Sequence, residues 1–262
     1  MRRVGISPHS LRAVPPQSLA DAVAGLHALD AQAPVHIHIA EQVAEVQDCL
    51  QWSGQRPVAW LLDHMPVDAR WCLVHATHMD EAEYARAAAS RAVAGLCPLT
   101  EANLGDGIFE LPRWEQAGGR WAIGSDSHVG TNPAEELMQL EYSQRLRQLQ
   151  RNVAASEQQP HVASHLMLQA VAGGAQASGR AIAGLAVGQQ ADLVALDAGH
   201  VALAGLQAAV QLDAHVFASS RSSAVDGVWV GGRRQVQQGR HAAHRRARDA
   251  FVEARAALIK ED

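Results

Sequence analysis

Short apolar runs alternate with helix-like segments through the first half of the chain, and this alternation restricts the fold more than any other feature. Five runs have the length and composition of strands, namely residues 4–6, 35–40, 71–76, 92–97 and 121–124. Strands that alternate with helices predict parallel β/α units. Five strands are too few to close a (β/α)8 barrel. We therefore expect either an open doubly wound sheet or the last five strands of a barrel whose beginning is absent.

Helical spacing of apolar residues predicts the segments between and after these strands. The predicted helices of the first 180 or so residues are 18–29, 42–52, 79–89, 134–152 and 161–176. The apolar side of the fourth helix is expected to contain Leu137, Leu140, Leu146 and Leu149.

The pattern changes near residue 185. The sequence GLAVGQQADLVALD predicts a turn and a strand within residues 184–197, and VDGVWVGGRRQVQQGRH predicts a hairpin within 225–241 with Gly231-Gly232 at its tip. Residues 242–262 have the pattern of a charged amphipathic helix. We therefore predict two domains, an α/β domain over residues 1–185 and a smaller domain over residues 186–262.

Composition limits the partners. The net charge is −5 and basic residues form no sustained patch, which argues against a nucleic-acid partner. No apolar run approaches the roughly 20 residues of a membrane span. The three cysteines are widely spaced and form no CxxC pair, which is typical of a reduced, cytoplasmic protein.

The stretch VHIHIAEQ contains the first candidate site. On a strand, His36 and His38 point to the same face, and either, both or neither could bind a metal. Glu41 follows where the strand should give way to a loop, and a carboxylate there can move protons to and from a water. The alternative is two half-buried histidines on a sheet face.

Three more strand ends carry reactive side chains. His75 ends the run in VHATH, Asp126 follows the run in IGSDSH, and His9 with Arg12 follows the run in SPHSLRAVPP. Taken singly, each has an ordinary structural explanation, such as a capping histidine, an N-cap aspartate or a solvated arginine. The carboxyl ends of parallel strands share one edge of a sheet, so together these residues predict a metal-assisted hydrolytic site there.

The order of these motifs resembles the amidohydrolase superfamily, in its metal-dependent deaminase and chlorohydrolase branch. The resemblance rests on His38-x-x-Glu41, His75, Ser125-Asp126-Ser127 and GQQADLVALD. Further stretches, among them SPHSLRAVPP, GLCPLTEANLGDGIF and GSDSHVGTNPAEELMQLEYSQRL, are similar to the formimidoylglutamate deiminase family. The resemblance implies a (β/α)8 barrel joined to a small β-sandwich, of which this chain has the C-terminal part, about strands 4 to 8 and a C-terminal sandwich piece.

The resemblance also implies roles for individual residues. His38 and Asp126 would bind one zinc ion, with iron as the alternative metal. Glu41 would be the proton shuttle, Asp126 would take a proton from the attacking water, and His75 would polarise that water. His9 and Arg12 would face a small-molecule substrate, with Arg12 suited to a carboxylate. His36 would be structural.

The activity implied is hydrolysis of N-formimino-L-glutamate to N-formyl-L-glutamate and ammonia, by an enzyme that is a homodimer when full length. The chain departs from the family in lacking the first-strand HxH that supplies two metal ligands. Two alternatives therefore stay open, a purine, pyrimidine or triazine aminohydrolase of the same branch, and a catalytically silent fragment.

Overall fold

Helices and strands alternate through the first part of the computed structural model, which describes residues 3–219 and 222–259. The order is α1 (Pro16–Leu29), β1 (Val35–Ile39), α2 (Val43–Ser53), α3 (Pro57–His64), β2 (Trp71–His75), α4 (Glu81–Ser90), β3 (Val93–Leu96), α5 (Pro98–Leu104), α6 (Leu111–Gln116), β4 (Arg120–Ile123), α7 (Pro133–Gln148) and α8 (Val162–Ala177). These elements belong to one unit, Met1–Gly184, and a second unit covers Leu185–Asp262.

The four strands of the first unit form a parallel sheet in the order β1-β2-β3-β4. Neighbouring strands pair close to their carboxyl ends, Ile39 opposite His75 and Leu96 opposite Ile123. A doubly wound sheet reverses its strand order at a switch point, whereas this order is sequential without a reversal. The α/β class and the parallel sheet are thus confirmed, and the sequential strand order is consistent with part of a barrel.

Strand β1 shows the period of two that orients its histidines. Val35, Ile37 and Ile39 are fully buried, while His36 and His38 between them are half-buried. Alternate residues of a strand face opposite sides. Both histidines therefore lie on one face of the sheet, as the sequence predicts.

The predicted first strand, residues 4–6, is not a strand in the structure. Only two isolated parallel bridges connect this segment to β1, from Ile6 to Val35 and from Ser10 to His38. Pro8 lies between the two bridges and has no N–H to donate to a neighbouring strand. The prediction of five strands was therefore wrong by one.

Helix α7 corrects the prediction for residues 134–152. The helix ends at Gln148, with Leu149 in the left-handed region at a φ of 54°. Leu137 and Leu140 are buried as predicted, but Leu146 and Leu149 are 77% and 90% exposed. At 3.6 residues per turn, residues nine positions apart lie on opposite faces of a helix, so Leu146 cannot share the face of Leu137.

The second unit contains β5 (Leu193–Leu196), α9 (Ala208–Ala218), β6 (Val225–Val230), β7 (Arg233–Gln237), β8 (Arg240–His241) and α10 (His244–Ile259). Its strands form an antiparallel sheet in the order β5-β6-β7-β8. The predicted hairpin tip is confirmed, because Gly231 and Gly232 both have positive φ, at 57° and 75°. Residues 260–262 of the predicted last helix lie outside the described residues.

A helix that crosses a membrane must be both long and apolar. Over the described ranges, none is both long and apolar enough to cross a bilayer.

Helix α8 packs so closely on β4 that one glycine is required. A Cβ on Gly173 would lie 1.8 Å from the backbone oxygen of Trp121, whereas a Cβ on the adjacent Gly174 would have no neighbour within 4 Å. The first contact is far inside the van der Waals distance, so the helix or the strand would have to move.

We therefore expect Gly173→Ala to lower the free energy of unfolding by about 1–3 kcal/mol, the usual cost of overpacking a core. The matched control Gly174→Ala should leave it unchanged or raise it by up to about 1 kcal/mol, because alanine favours a helix. Urea unfolding followed by tryptophan fluorescence measures both. Equal effects of the two substitutions would contradict the close packing of α8.

Candidate active site

The carboxyl ends of β1 and β2 and the loop after β4 bring three predicted site residues around one imidazole nitrogen. His75 Nε2 lies 3.7 Å from Glu41 Oε1 and 3.9 Å from Asp126 Oδ2. The rings of His38 and His75 are stacked, with centroids 5.6 Å apart. The sequence prediction that these four strand-end residues meet is consistent with this geometry, although their chemical roles stay predictions.

His75 is fully buried, and only one of its two ring nitrogens has a partner among the described residues. Its Nδ1 lies 3.2 Å from Glu101 Oε1, and its Nε2 has no hydrogen-bond partner within the part of the chain that is described. Burial by itself lowers the pKa of His75, but the hydrogen bond and charge of Glu101 outweigh it, with smaller contributions from Glu41 and Asp126. The pKa of His75 is therefore raised above its ordinary value.

Glu41 is buried beside an arginine. Arg12 Nη2 donates to Glu41 Oε2 at 2.6 Å, and Arg12 Nε lies 3.8 Å from Glu45 Oε2. Arg12, predicted to face a substrate carboxylate, thus contacts the carboxylate of Glu41 in this structure. One edge of its guanidinium fork is occupied by a charge-assisted hydrogen bond.

Glu45 supports the segment that contains Glu41. Its Oε1 accepts the backbone N–H of Ala40 at 2.9 Å, and its Oε2 accepts that of Glu41 at 2.8 Å. Glu45 is itself 3% exposed. The carboxylate therefore satisfies two backbone groups that lie beyond the end of the β1 ladder.

Asp126 lies in a loop that is tied to the start of α5. Thr100 Oγ1 donates to the Ser125 carbonyl oxygen at 2.8 Å and accepts the backbone N–H of His128 at 3.0 Å. Asp126 itself has a φ of 46°, and Ala40 and His75 at the other strand ends have φ of 49° and 67°. Such left-handed conformations cost non-glycine residues energy and persist where the surroundings hold them.

The two remaining histidines differ in their surroundings. His9 Nδ1 lies 2.8 Å from Ser10 Oγ, and its ring centroid is 5.2 Å from that of His38. His36 Nε2 lies 2.8 Å from the carbonyl oxygen of Ala177, to which it donates. His9 therefore borders the cluster, whereas His36 is bound to the end of α8, in agreement with its structural interpretation.

The predicted metal ligands, a histidine and an aspartate, are of the residue types that bind zinc in proteins. His38 Nδ1 donates to the His9 carbonyl oxygen at 2.7 Å, which leaves Nε2 as the nitrogen with the lone pair. This second bond is the usual support of a metal-binding imidazole. Over residues 3–219 and 222–259, however, no group of three or more His, Cys, Asp or Glu side chains could hold a metal ion. His38 and Asp126 would thus supply two of the four ligands of an ordinary zinc site.

Three residues of this cluster were not identified as site residues from the sequence. They are Glu45, Thr100 and Glu101. The last two lie in GLCPLTEANLGDGIF, a stretch that supports the family resemblance but does not by itself indicate a contact with His75 or Asp126. A glutamate four residues after a strand-end glutamate is the one local signal for Glu45, and it is also ordinary helix spacing.

The amidohydrolase family model matches residues 1–234, so the chain belongs to the amidohydrolase family. Within that family it is similar to the formimidoylglutamate deiminase of Pseudomonas aeruginosa, with 50% identity over 256 residues, 98% of this chain and 56% of that protein. A 5-methylthioadenosine/S-adenosylhomocysteine deaminase of Natronomonas pharaonis is 28% identical over 88% of this chain and 51% of that protein. The resemblance found in the sequence is thereby confirmed.

Two solved structures agree with the fold. An amidohydrolase of Brucella melitensis has a TM-score of 0.89 and 49% identity, covering 97% of this chain and 55% of the other. An adenosine deaminase of Xanthomonas campestris with bound zinc has a TM-score of 0.85 at 24% identity, covering 98% and 57%. The chain thus spans slightly more than half the length of these relatives.

The role of Glu45 in holding the Glu41 segment can be tested by stability. Glu45→Ala leaves two buried backbone N–H groups without an acceptor, so we expect the free energy of unfolding to fall by about 1–3 kcal/mol. Gln47→Ala, on the exposed face of the same helix, should change it by less than about 0.5 kcal/mol. Urea unfolding measures both, and equal values for the two variants would contradict this role.

Proposed function

We propose that this chain supplies catalytic residues of a zinc-dependent hydrolase that converts N-formimino-L-glutamate to N-formyl-L-glutamate and ammonia. The observation that carries the proposal is the convergence of the Glu41 and Asp126 carboxylates on His75 Nε2, at 3.7 Å and 3.9 Å. The 50% identity to a formimidoylglutamate deiminase supports this substrate over others of the family.

The reaction adds water to the formimino carbon and releases ammonia from it. Zinc bound by His38 and Asp126, with further ligands from elsewhere, would lower the pKa of the attacking water toward ~7. Asp126 takes a proton from the water as its oxygen bonds to the carbon. Glu41 delivers a proton to the departing nitrogen, and His75 hydrogen-bonds the oxygen of the tetrahedral species. The hydroxyl of that species gives up the second water proton to the same nitrogen as the carbonyl forms and the C–N bond breaks, so the nitrogen leaves as ammonia.

Arg12 is proposed to bind one carboxylate of the substrate. A planar guanidinium suits a bidentate carboxylate, and Arg12 is partly exposed beside the cluster. Its bond to Glu41 means that an incoming carboxylate competes with Glu41 for the same cation. His9, which borders His38, is proposed to line the same substrate position.

We further propose that the four parallel strands belong to the later part of a (β/α)8 barrel and that the second unit is a C-terminal piece of a β-sandwich. The sequential strand order supports the barrel. The coverage of just over half of the similar structures supports an incomplete barrel. The homodimer of the full-length enzyme and its cytoplasmic location stay predictions.

Ammonia release tests the substrate in a zinc-loaded enzyme in which the further zinc ligands complete this chain. We expect release from N-formimino-L-glutamate and none from 5-methylthioadenosine. Glu41→Gln should lower kcat/KM by at least about 100-fold, because general acid–base catalysis is lost. The control Glu81→Gln changes an exposed carboxylate in the first turn of α4 and should be neutral.

Three outcomes would contradict this assignment. Full activity of Glu41→Gln would exclude the proton-shuttle role, and activity on the nucleoside alone would favour another deaminase of the family. No release from any substrate, with zinc present, would favour the catalytically silent fragment.

Zinc binding can be tested apart from activity. His38→Ala removes a proposed ligand and should weaken zinc affinity at least about 10-fold, as judged by competition with a chromophoric chelator. His64→Ala is a suitable control, since its Nδ1 donates to Trp60 of the same helix. Equal affinities of the two variants would exclude His38 as a ligand.

A further inference from the structure

We infer that Glu101 is a positioning residue that keeps the proton of neutral His75 on Nδ1. The Nε2 atom, which faces the site, is then unprotonated. The inference deepens the proposed function, because it explains how His75 would present Nε2 to a molecule held between Glu41 and Asp126. It rests on a pair of buried side chains from neighbouring strand ends.

The direction of the hydrogen bond follows from the other bond that Glu101 makes. Glu101 Oε1 accepts the backbone N–H of Cys97 at 2.8 Å and lies 3.2 Å from His75 Nδ1. An oxygen that accepts an amide proton is the acceptor of the imidazole proton as well. Neutral His75 therefore has its hydrogen on Nδ1 and its lone pair on Nε2.

The opposite tautomer is disfavoured by burial. It would aim the Nδ1 lone pair at a carboxylate oxygen, with both side chains almost completely buried at 0% and 4% exposure. Water is not available there to separate the two groups, and electrostatic repulsion is strong where the dielectric is low. The environment thus selects one of the two imidazole tautomers.

The carboxylate is itself held firmly. Glu101 lies in the first turn of α5, and the same turn is bound twice to its neighbours. Leu99 N donates to Glu136 Oε2 at 2.9 Å, and Thr100 Oγ1 donates to Ser125 O at 2.8 Å. The position of Glu101 is therefore fixed before any ligand binds.

The Nε2 side of the imidazole shows what the arrangement provides. His75 Nε2 is buried, and Glu41 Oε1 and Asp126 Oδ2 are 3.7 Å and 3.9 Å away, too far for direct hydrogen bonds. A bare Nε2 can accept a hydrogen bond from a small molecule in the site. After gaining a proton it becomes a donor whose positive charge Glu101 compensates.

A simpler explanation is that Glu101 only caps α5 through Cys97. In that case the tautomer of His75 would not depend on this carboxylate. Substitutions of Glu101 and of Glu136, a residue of α7, separate the explanations. Glu136 also supports the start of α5, through Leu99, but among the described residues it makes no hydrogen bond to His75.

The experiment measures the tautomer by NMR in the metal-free chain. Histidine is labelled with nitrogen-15, and long-range proton–nitrogen correlations are recorded at a pH where the imidazole signals no longer titrate. The His75 signals are assigned as those lost in His75→Asn. We expect the Nδ1–H form in the unsubstituted chain and in Glu101→Gln, whose amide oxygen still accepts. Glu101→Ala should shift His75 toward the Nε2–H form, and Glu136→Ala should not.

Several results would overturn the inference. One is an Nε2–H form in the unsubstituted chain, a result that does not depend on how any glutamate variant folds. Others are an unchanged tautomer in Glu101→Ala, or a shift in Glu136→Ala as large as that in Glu101→Ala. If formiminoglutamate proves not to be the substrate, the tautomer is unaffected, so the two proposals fail separately.

Discussion

Buried glutamate carboxylates hold loops and helix starts of the first unit, and the geometry of the candidate site depends on two of them, Glu45 and Glu101. Each accepts one or two backbone N–H groups from a loop or a helix start. The pairs are Glu45 with Ala40 and Glu41, Glu83 with Ala59 and Asp80, Glu101 with Cys97, Glu136 with Leu99, and Glu141 with Val153 and Ala154. Hydrogen bonds to a charged acceptor are stronger than neutral ones, and buried N–H groups require a partner. These loops are therefore fixed although they lack regular secondary structure.

The same carboxylates connect stability to the chemistry of the site. Glu45 binds the backbone of Glu41, and Glu101 binds both the α5 start and His75. Burying a carboxylate has a cost, seen in Glu136, where desolvation raises the pKa to about 6 although a backbone hydrogen bond opposes the rise. Strand-end residues with positive φ add a further cost. Such costs at one edge of a sheet are typical of a functional site rather than of packing alone.

Most of the cluster could be predicted from the sequence because of one property of parallel sheets. Residues that directly follow different strands meet at the same edge, so the positions of His38, Glu41, His75 and Asp126 in the chain imply that they are neighbours. Glu101 and Glu45 escaped prediction because they are helical residues that reach back to a strand end. The prediction that Leu146 and Leu149 lie on the apolar side of α7 was wrong for a different reason. Leucines nine residues apart occupy opposite faces of a helix.

The sequence by itself determined the parallel α/β class, the two antiparallel strands around Gly231-Gly232, and the family to which the chain belongs. These properties follow from local periodicity, turn chemistry and short motifs, all of which depend on residues that are close together in the chain. Only the tertiary structure decided that residues 4–6 make bridges rather than a strand, that Arg12 pairs with Glu41, and that Glu101 meets His75. The last two residues are 26 positions apart, and their contact arises because β2 and β3 pair in a register that brings the start of α5 against the end of β2.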